Sequence, residues 1–204
     1  MDKNDLRNKL VSISTRLFSE RGLNGVSIRE ISKAAGVSIS MISYHFGGKE
    51  GLYSSVLQEQ FSGFEHIEEI NKVDSDALSK IEAYIRWIIV RHRDNPYLLR
   101  FYTSELTNPT QFFPLIVQPA IGKVIQILVH IIEEGISTNK FRKDLNPVDT
   151  VLAMAGMVTY YFLSTLATQE LINHSPERDE VLVRHYMDIF TKGILSSFPS
   201  GNAE

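Results

Sequence analysis

The chain has 204 residues, of which 43% are hydrophobic and 22% charged, a composition that fits a globular protein with a sizeable core and excludes intrinsic disorder. It has no cysteine, so disulfides and thiolate metal sites are excluded and a reducing cytoplasm is the expected setting. The net charge of −3 is unevenly spread: residues 1–51 hold eight Lys/Arg against five Asp/Glu, a net of +3, and the remainder stands at −6. A basic head on an acidic body is the asymmetry expected if only the head meets phosphate.

Residues 1–9 are highly charged with no apolar core after them, unlike a signal peptide. Leu6, Leu10, Ile13 and Leu17 recur at helical spacing with Phe18 beside the last, which predicts a first helix over 4–21, stopped by Gly22. Two short helices joined by a tight turn follow over 27–46. Ser27 is an N-cap with Glu30 three residues on, the spacing of a capping box. Ile28, Ile31 and Ala35 share one face, and Gly36 can take the left-handed conformation that ends a helix. Ser38 caps the next helix, in which Ile42 and Phe46 point inward while Ser40, Met41, Ser43 and Tyr44 face out. So short a helix, with small, polar and aromatic outward residues, suits a recognition helix in a DNA major groove.

In these residues the chain resembles the tetracycline-repressor (TetR) family of bacterial transcription regulators. The resemblance covers about residues 10–57 and is carried by Leu17-Phe18, Gly22, Val26-Ser27-Ile28-Arg29-Glu30-Ile31-Ser32, Ala35-Gly36-Val37-Ser38 and the run from Tyr44 through His45-Phe46-Gly47-Gly48-Lys49-Glu50-Gly51-Leu52 to Tyr53. It implies phosphate contacts from Ser27, Ser38, His45 and Lys49, and base-edge contacts from Arg29, Ser40 and Met41, with Tyr44 beside them. The family usually has Gly-Thr where this chain has Ser40-Met41. It often has Tyr at the place of Ser43, and a phosphate contact of that tyrosine falls here to Ser43 or Tyr44. A lysine at a helix N-terminus, such as Lys49, suits a phosphate because free N–H groups and the helix dipole add to its charge.

After Gly47-Gly48 a long helix is expected from 49 to about 71, then helices over 75–93 and 96–106. Pro109, Pro114 and Pro119 punctuate an uncharged stretch before a helix ending near Gly135. Asn146-Pro147 opens a helix to about 172, and Ser175-Pro176 a last one to about Ser197. Residues 150–169 carry no charge, but Thr150, Thr159, Ser164, Thr165, Thr168 and Gln169 make a poor membrane span and a buried helix is the better reading.

Trp87, Arg91, Tyr97, Arg100, Phe101, Glu105, Phe112 and Phe113 gather aromatic and a few charged groups, the make-up of a ligand pocket. The resemblance implies such a pocket in the C-terminal helices; the alternative is a core in which Arg and Glu pair with each other. Leu152, Gly156, Thr159 and Leu163, with Leu182, Tyr186, Ile189 and Phe190, are candidates for a four-helix dimer interface of the kind the family forms, or else for intramolecular core. No histidine has Glu three residues before it, and there is no phosphate loop, Gly-x-Ser-x-Gly or His-Glu-x-x-His, so neither a catalytic nor a metal residue is assigned.

These features point to an all-α protein of about nine helices, with a three-helix helix-turn-helix DNA-binding domain over 1–51 and a helical ligand-binding and dimerisation domain over 52–204. The expected function is that of a cytoplasmic homodimeric transcription regulator, a repressor released from a palindromic double-stranded DNA operator by an unidentified small-molecule effector, with no cofactor and no membrane. The alternative is a helical adaptor whose helix-turn-helix binds protein.

Overall fold

The computed structural model describes residues 3–73 and 75–196. Among them the chain forms eleven α-helices: α1 (Lys3–Arg21), α2 (Ile28–Ala35), α3 (Ile39–Phe46), α4 (Lys49–Phe61), α5 (His66–Lys72), α6 (Ala77–Asp94), α7 (Leu98–Thr107), α8 (Gln118–Ser137), α9 (Pro147–Leu163), α10 (Thr165–Thr168) and α11 (Asp179–Ile194). A π-helix, Phe113–Val117, leads into α8, and a 3-10 turn, Pro176–Arg178, precedes α11. The only β feature among the described residues is an isolated bridge between Phe141 and Leu195.

The helices fall into two compact units, Met1–Gly63 with Asn95–Ala120, and Phe64–Asp94 with Ile121–Glu204. In the first, α1 packs on α2, α4 and α7, and α3 packs on α2 and α4. Leu10, Phe18, Ile31, Ile42, Leu52, Val56 and Phe101 fill its core, each fully buried large side chain contributing about 1.5–3 kcal/mol of transfer free energy. Tyr53 sits at the centre: its ring meets the edge of Phe18 at 5.0 Å and lies 6.2 Å from Phe101 and 6.0 Å from Phe112. Its hydroxyl donates to Glu105 Oε1 at 2.7 Å.

In the second unit α6 packs on α5, α9 and α11. Val124, Leu128, Ile131 and Ile132 of α8 are buried, and the Phe141 ring lies where Gly135 leaves room for it. The Lys80–Glu134 pair, 2.9 Å apart, is partly buried.

Two of the nine expected helices are each broken in two. The helix expected over 49–71 stops at Phe61, because Ser62 is extended and its hydroxyl bonds back to the Glu59 carbonyl at 2.7 Å, and Gly63 has φ 83°. The helix expected over 147–172 breaks at Ser164, where Ser164 and Thr165 hydroxyls bond to the Tyr161 and Phe162 carbonyls and compete with the helical ladder. The prolines near residue 119 do not delay α8 as expected. Pro119 lies in its first turn, where a missing N–H is tolerated, and Gln118 N–H reaches back five residues to the Phe113 carbonyl. The helix expected to reach Ser197 ends at Ile194, and Ser197 lies outside the described residues. By length and composition it is 113–137, not 150–169, that is apolar enough to cross a membrane.

The sequence boundary after residue 51 falls inside α4. At that residue, a Cβ on Gly51 would overlap the Phe46 carbonyl oxygen, so the turn between α3 and α4 closes only over glycine. Gly51→Ala is expected to cost about 1–3 kcal/mol of unfolding free energy in urea titrations, as overpacking does; a neutral result would contradict the close approach.

Candidate nucleic-acid interface

The helix-turn-helix is fixed by local chemistry. The Ser27 hydroxyl accepts from Glu30 N–H at 3.3 Å, and the Ser27 N–H and hydroxyl both donate to Glu30 Oε2 at 2.8 Å, completing a capping box. Arg21 at the end of α1 braces the other carboxylate oxygen at 2.8 Å. These hydrogen bonds, the Ser27 backbone bond first, then Arg21, hold the Glu30 carboxyl down at about 2. Gly36 closes α2 with φ 67°, and Val37 N–H reaches the Ser32 carbonyl at 3.1 Å.

Ser38 caps α3, accepting from Met41 N–H at 3.3 Å, and its hydroxyl meets that of Ser40 at 2.8 Å. Ile42 is fully buried and anchors the helix, while Ser40, Met41, Ser43 and Tyr44 are exposed, Tyr44 at 71%. This is the outward face that the spacing predicts. It carries no carboxylate, so nothing on it repels phosphate. Arg29 on α2 is exposed as well. The His45 ring, half-buried, stands edge-on to Tyr44 at 5.2 Å.

Two of the expected contact residues are partly committed elsewhere. Both Ser27 donors point at Glu30, which leaves Ser27 a capping residue rather than a phosphate donor. The Lys49 ammonium donates to the Leu23 carbonyl at 3.0 Å. That bond uses one of three protons and pins the charge beside the N-terminus of α4. Sequence reasoning missed Arg7, whose guanidinium lies over the Phe46 ring at 5.4 Å; no local pattern signals a contact between residues 39 apart in sequence.

The eight expected pocket residues divide between the units. Trp87 and Arg91 belong to the second, where Trp87 packs against Phe64 at 5.7 Å and Tyr84 at 6.0 Å. Tyr97, Arg100, Phe101, Glu105, Phe112 and Phe113 belong to the first. There Glu105 is 0% exposed, and its carboxylate accepts from Tyr53 and from the Thr110 N–H and hydroxyl at 3.1 and 3.0 Å. Phe101 is buried beside it. Both are core, and the pairing of Arg with Glu expected as the alternative is replaced by neutral donors.

Of the expected interface, Leu152, Gly156 and Leu163 are exposed on α9 and Ile189 on α11, Thr159 is half-buried, and Tyr186 donates to the Met157 carbonyl at 3.0 Å. Leu182 and Phe190 are instead buried within the chain, because α11 packs along α6 and they are covered there, while Ile189 stays exposed. Among the described residues no three His, Asp or Glu side chains gather as a metal site.

Residues 10–56 match the family described as bacterial regulatory proteins, tetR family. A probable HTH-type transcriptional regulator of Bacillus subtilis, YttP, is 30% identical over 132 residues, covering 63% of this chain and 64% of that protein. The HTH-type transcriptional repressor NicS of Pseudomonas putida is 28% identical over 162 residues, covering 76% of this chain and 74% of the relative. Among solved structures, the transcriptional regulator FadR of Bacillus subtilis, in complex with stearoyl-CoA, has the same fold, with a TM-score of 0.72 at 18% identity over 91% of this chain and 98% of that one.

Because Glu30 titrates below its ordinary 4.5, its contribution to stability is complete above pH 4.5 and is lost as pH falls toward 2. Glu30→Gln should flatten that limb of the melting temperature between pH 2 and 6, and an unchanged limb would contradict the capping box.

Proposed function

We infer, from the premise that the chain belongs to the tetR family of bacterial regulatory proteins, that it is a sequence-specific DNA-binding transcription regulator and not an enzyme. The observation that supports this best is α3, capped at both ends, anchored by Ile42, and turning four side chains outward from a basic head. A helix presented this way enters a major groove. Arg29 offers a bidentate fork to guanine, Ser40 hydrogen-bonds to base edges, and Met41 packs on a thymine methyl, with Tyr44 beside them. Ser38, Ser43, His45 and Lys49 hold phosphate. An adaptor that binds protein through the same motif would have no use for the head's basic excess.

The chain acts as a cytoplasmic homodimer, with residues 1–51 as the DNA-reading part and 52–204 as the regulatory part. Support for the dimer comes from the apolar side chains that α9 and α11 leave exposed: Val148, Leu152, Tyr160 and Leu163, with Val181 and Ile189. Two-fold symmetry then pairs two heads on a palindrome. It is a repressor, the role named for the Pseudomonas relative, and a small-molecule effector releases it; the stearoyl-CoA bound by the Bacillus FadR protein supports ligand control in this fold. Release requires that the effector favour one spacing of the heads energetically.

Selection of sites from a random duplex pool tests the function, with a palindrome of fixed half-site spacing expected and no enrichment contradicting it. On the selected site, Arg29→Ala should cost about 1–3 kcal/mol and relax preference at one base position. Lys49→Ala should weaken all sequences alike and reduce the salt dependence by about one unit. Gel-shift titrations over salt and sequence separate the two, and exchanged outcomes would overturn the roles.

A further inference from the structure

Buried polar groups almost always find a partner, so those that do not are informative where they cluster. Among the described residues, four such atoms belong to three residues of the second unit, Nδ1 and Nε2 of His92, Nδ1 of His174 and Nε of Arg178. Beside them the Tyr161 hydroxyl takes the Arg93 guanidinium on its oxygen and keeps its own proton to give. The rings are neighbours. His92 lies 4.9 Å from Phe162, Phe162 5.2 Å from Tyr161, and Tyr161 4.8 Å from His174. Arg93 frames the group, with its guanidinium 5.3 Å over Phe162 and bonded to Asp179 at 2.7 Å and to the His174 and Ser175 carbonyls. Its charge is thereby committed to Asp179 and its position fixed.

We propose that this cluster, formed by the C-terminal ends of α6 and α9 and the segment leading into α11, binds the carboxylate of a small organic acid. The donor inventory selects the ligand. The Tyr161 hydroxyl, the Arg178 Nε–H and the one N–H of the neutral His92 ring are donors. The His174 Nε2–H is already given to Thr168 Oγ1 at 2.7 Å, because the Thr168 proton goes to the Ser164 carbonyl. The unmet demand is mainly for acceptors. A carboxylate supplies two oxygens with about four lone-pair directions and the negative charge that Arg178 attracts. Burial, with Arg91 behind it, pushes the His92 ring down to about 4, which keeps it neutral near pH 7 with one N–H to give. Phe162 and Tyr161 supply an apolar wall for the acid's body. The cluster rests on the reading that an effector controls the chain, and it names that effector's chemical class. It lies one residue along α6 from Arg91 and uses none of the aromatic residues that the sequence assigned to a pocket.

Acetate, benzoate and decanoate share a carboxylate and differ in body, while benzamide keeps the benzoate ring without the charge. Each is titrated into the full chain and followed by NMR of the histidine rings. At least one acid should shift the His92 and His174 resonances saturably, benzamide should bind more weakly than benzoate, and Tyr161→Phe should weaken that acid about fivefold, as loss of one hydrogen bond does. If no acid saturates, if benzamide matches benzoate, or if Tyr161→Phe and His92→Asn both leave affinity unchanged, the proposal is overturned, and operator binding in the same samples shows the regulator reading standing without it. Saturable binding that leaves operator affinity unaltered upholds the site and overturns the effector role instead.

Discussion

A carboxylate with no exposed surface organises the first unit. Among the described residues no cation pairs with Glu105; its oxygens are satisfied by the Tyr53 hydroxyl and by Thr110. A buried charge costs several kcal/mol unless hydrogen bonds replace its water, so α4, which carries Tyr53, and the turn carrying Thr110 are held in the one arrangement that supplies them. Burial and the neighbouring carboxylate both push the Tyr53 hydroxyl up, so it remains a donor. The same ring touches Phe18 of α1 and Phe112 before the π-helix. One side chain thus sets where the DNA-reading head stands on α4 and α7.

The head needs that frame because its working helix is short. Eight residues do not hold a helix in water on their own. α3 keeps its form through Ser38 at one end, Gly47 at the other and Ile42 in the core. With stability supplied from behind and from the ends, the outward positions are free for recognition. Ser40, Met41, Ser43 and Tyr44 are exposed and contribute nothing to the core, and the positive charge of the head lies on flanking residues.

The parts read well from sequence are those whose determinants are local. The capping box of Ser27 and Glu30, the left-handed Gly36 and the anchor Ile42 are each specified within a few residues, and the structure has them where the spacing puts them. The breaks at Ser62-Gly63 and Ser164 were illegible, because hydroxyl side chains and a single glycine are tolerated inside helices as often as they end them. In the sequence Glu105 and Phe101 point to a pocket, because a carboxylate among aromatics looks the same lining a cavity or satisfied in a core. Tyr53, 52 residues away, decides between them. On α11 the apolar period was plain, yet which residues serve the chain's own core was not. Leu182 and Phe190 do so and Ile189 does not.

Chemical-shift mapping of the isotope-labelled chain against a selected operator duplex tests the central claim most directly. The account predicts perturbations centred on Arg29, on residues 38–45 and on Lys49, diminishing as salt is raised. Binding that leaves the amides of α3 unmoved, or that concentrates on the acidic remainder of the chain, would contradict it.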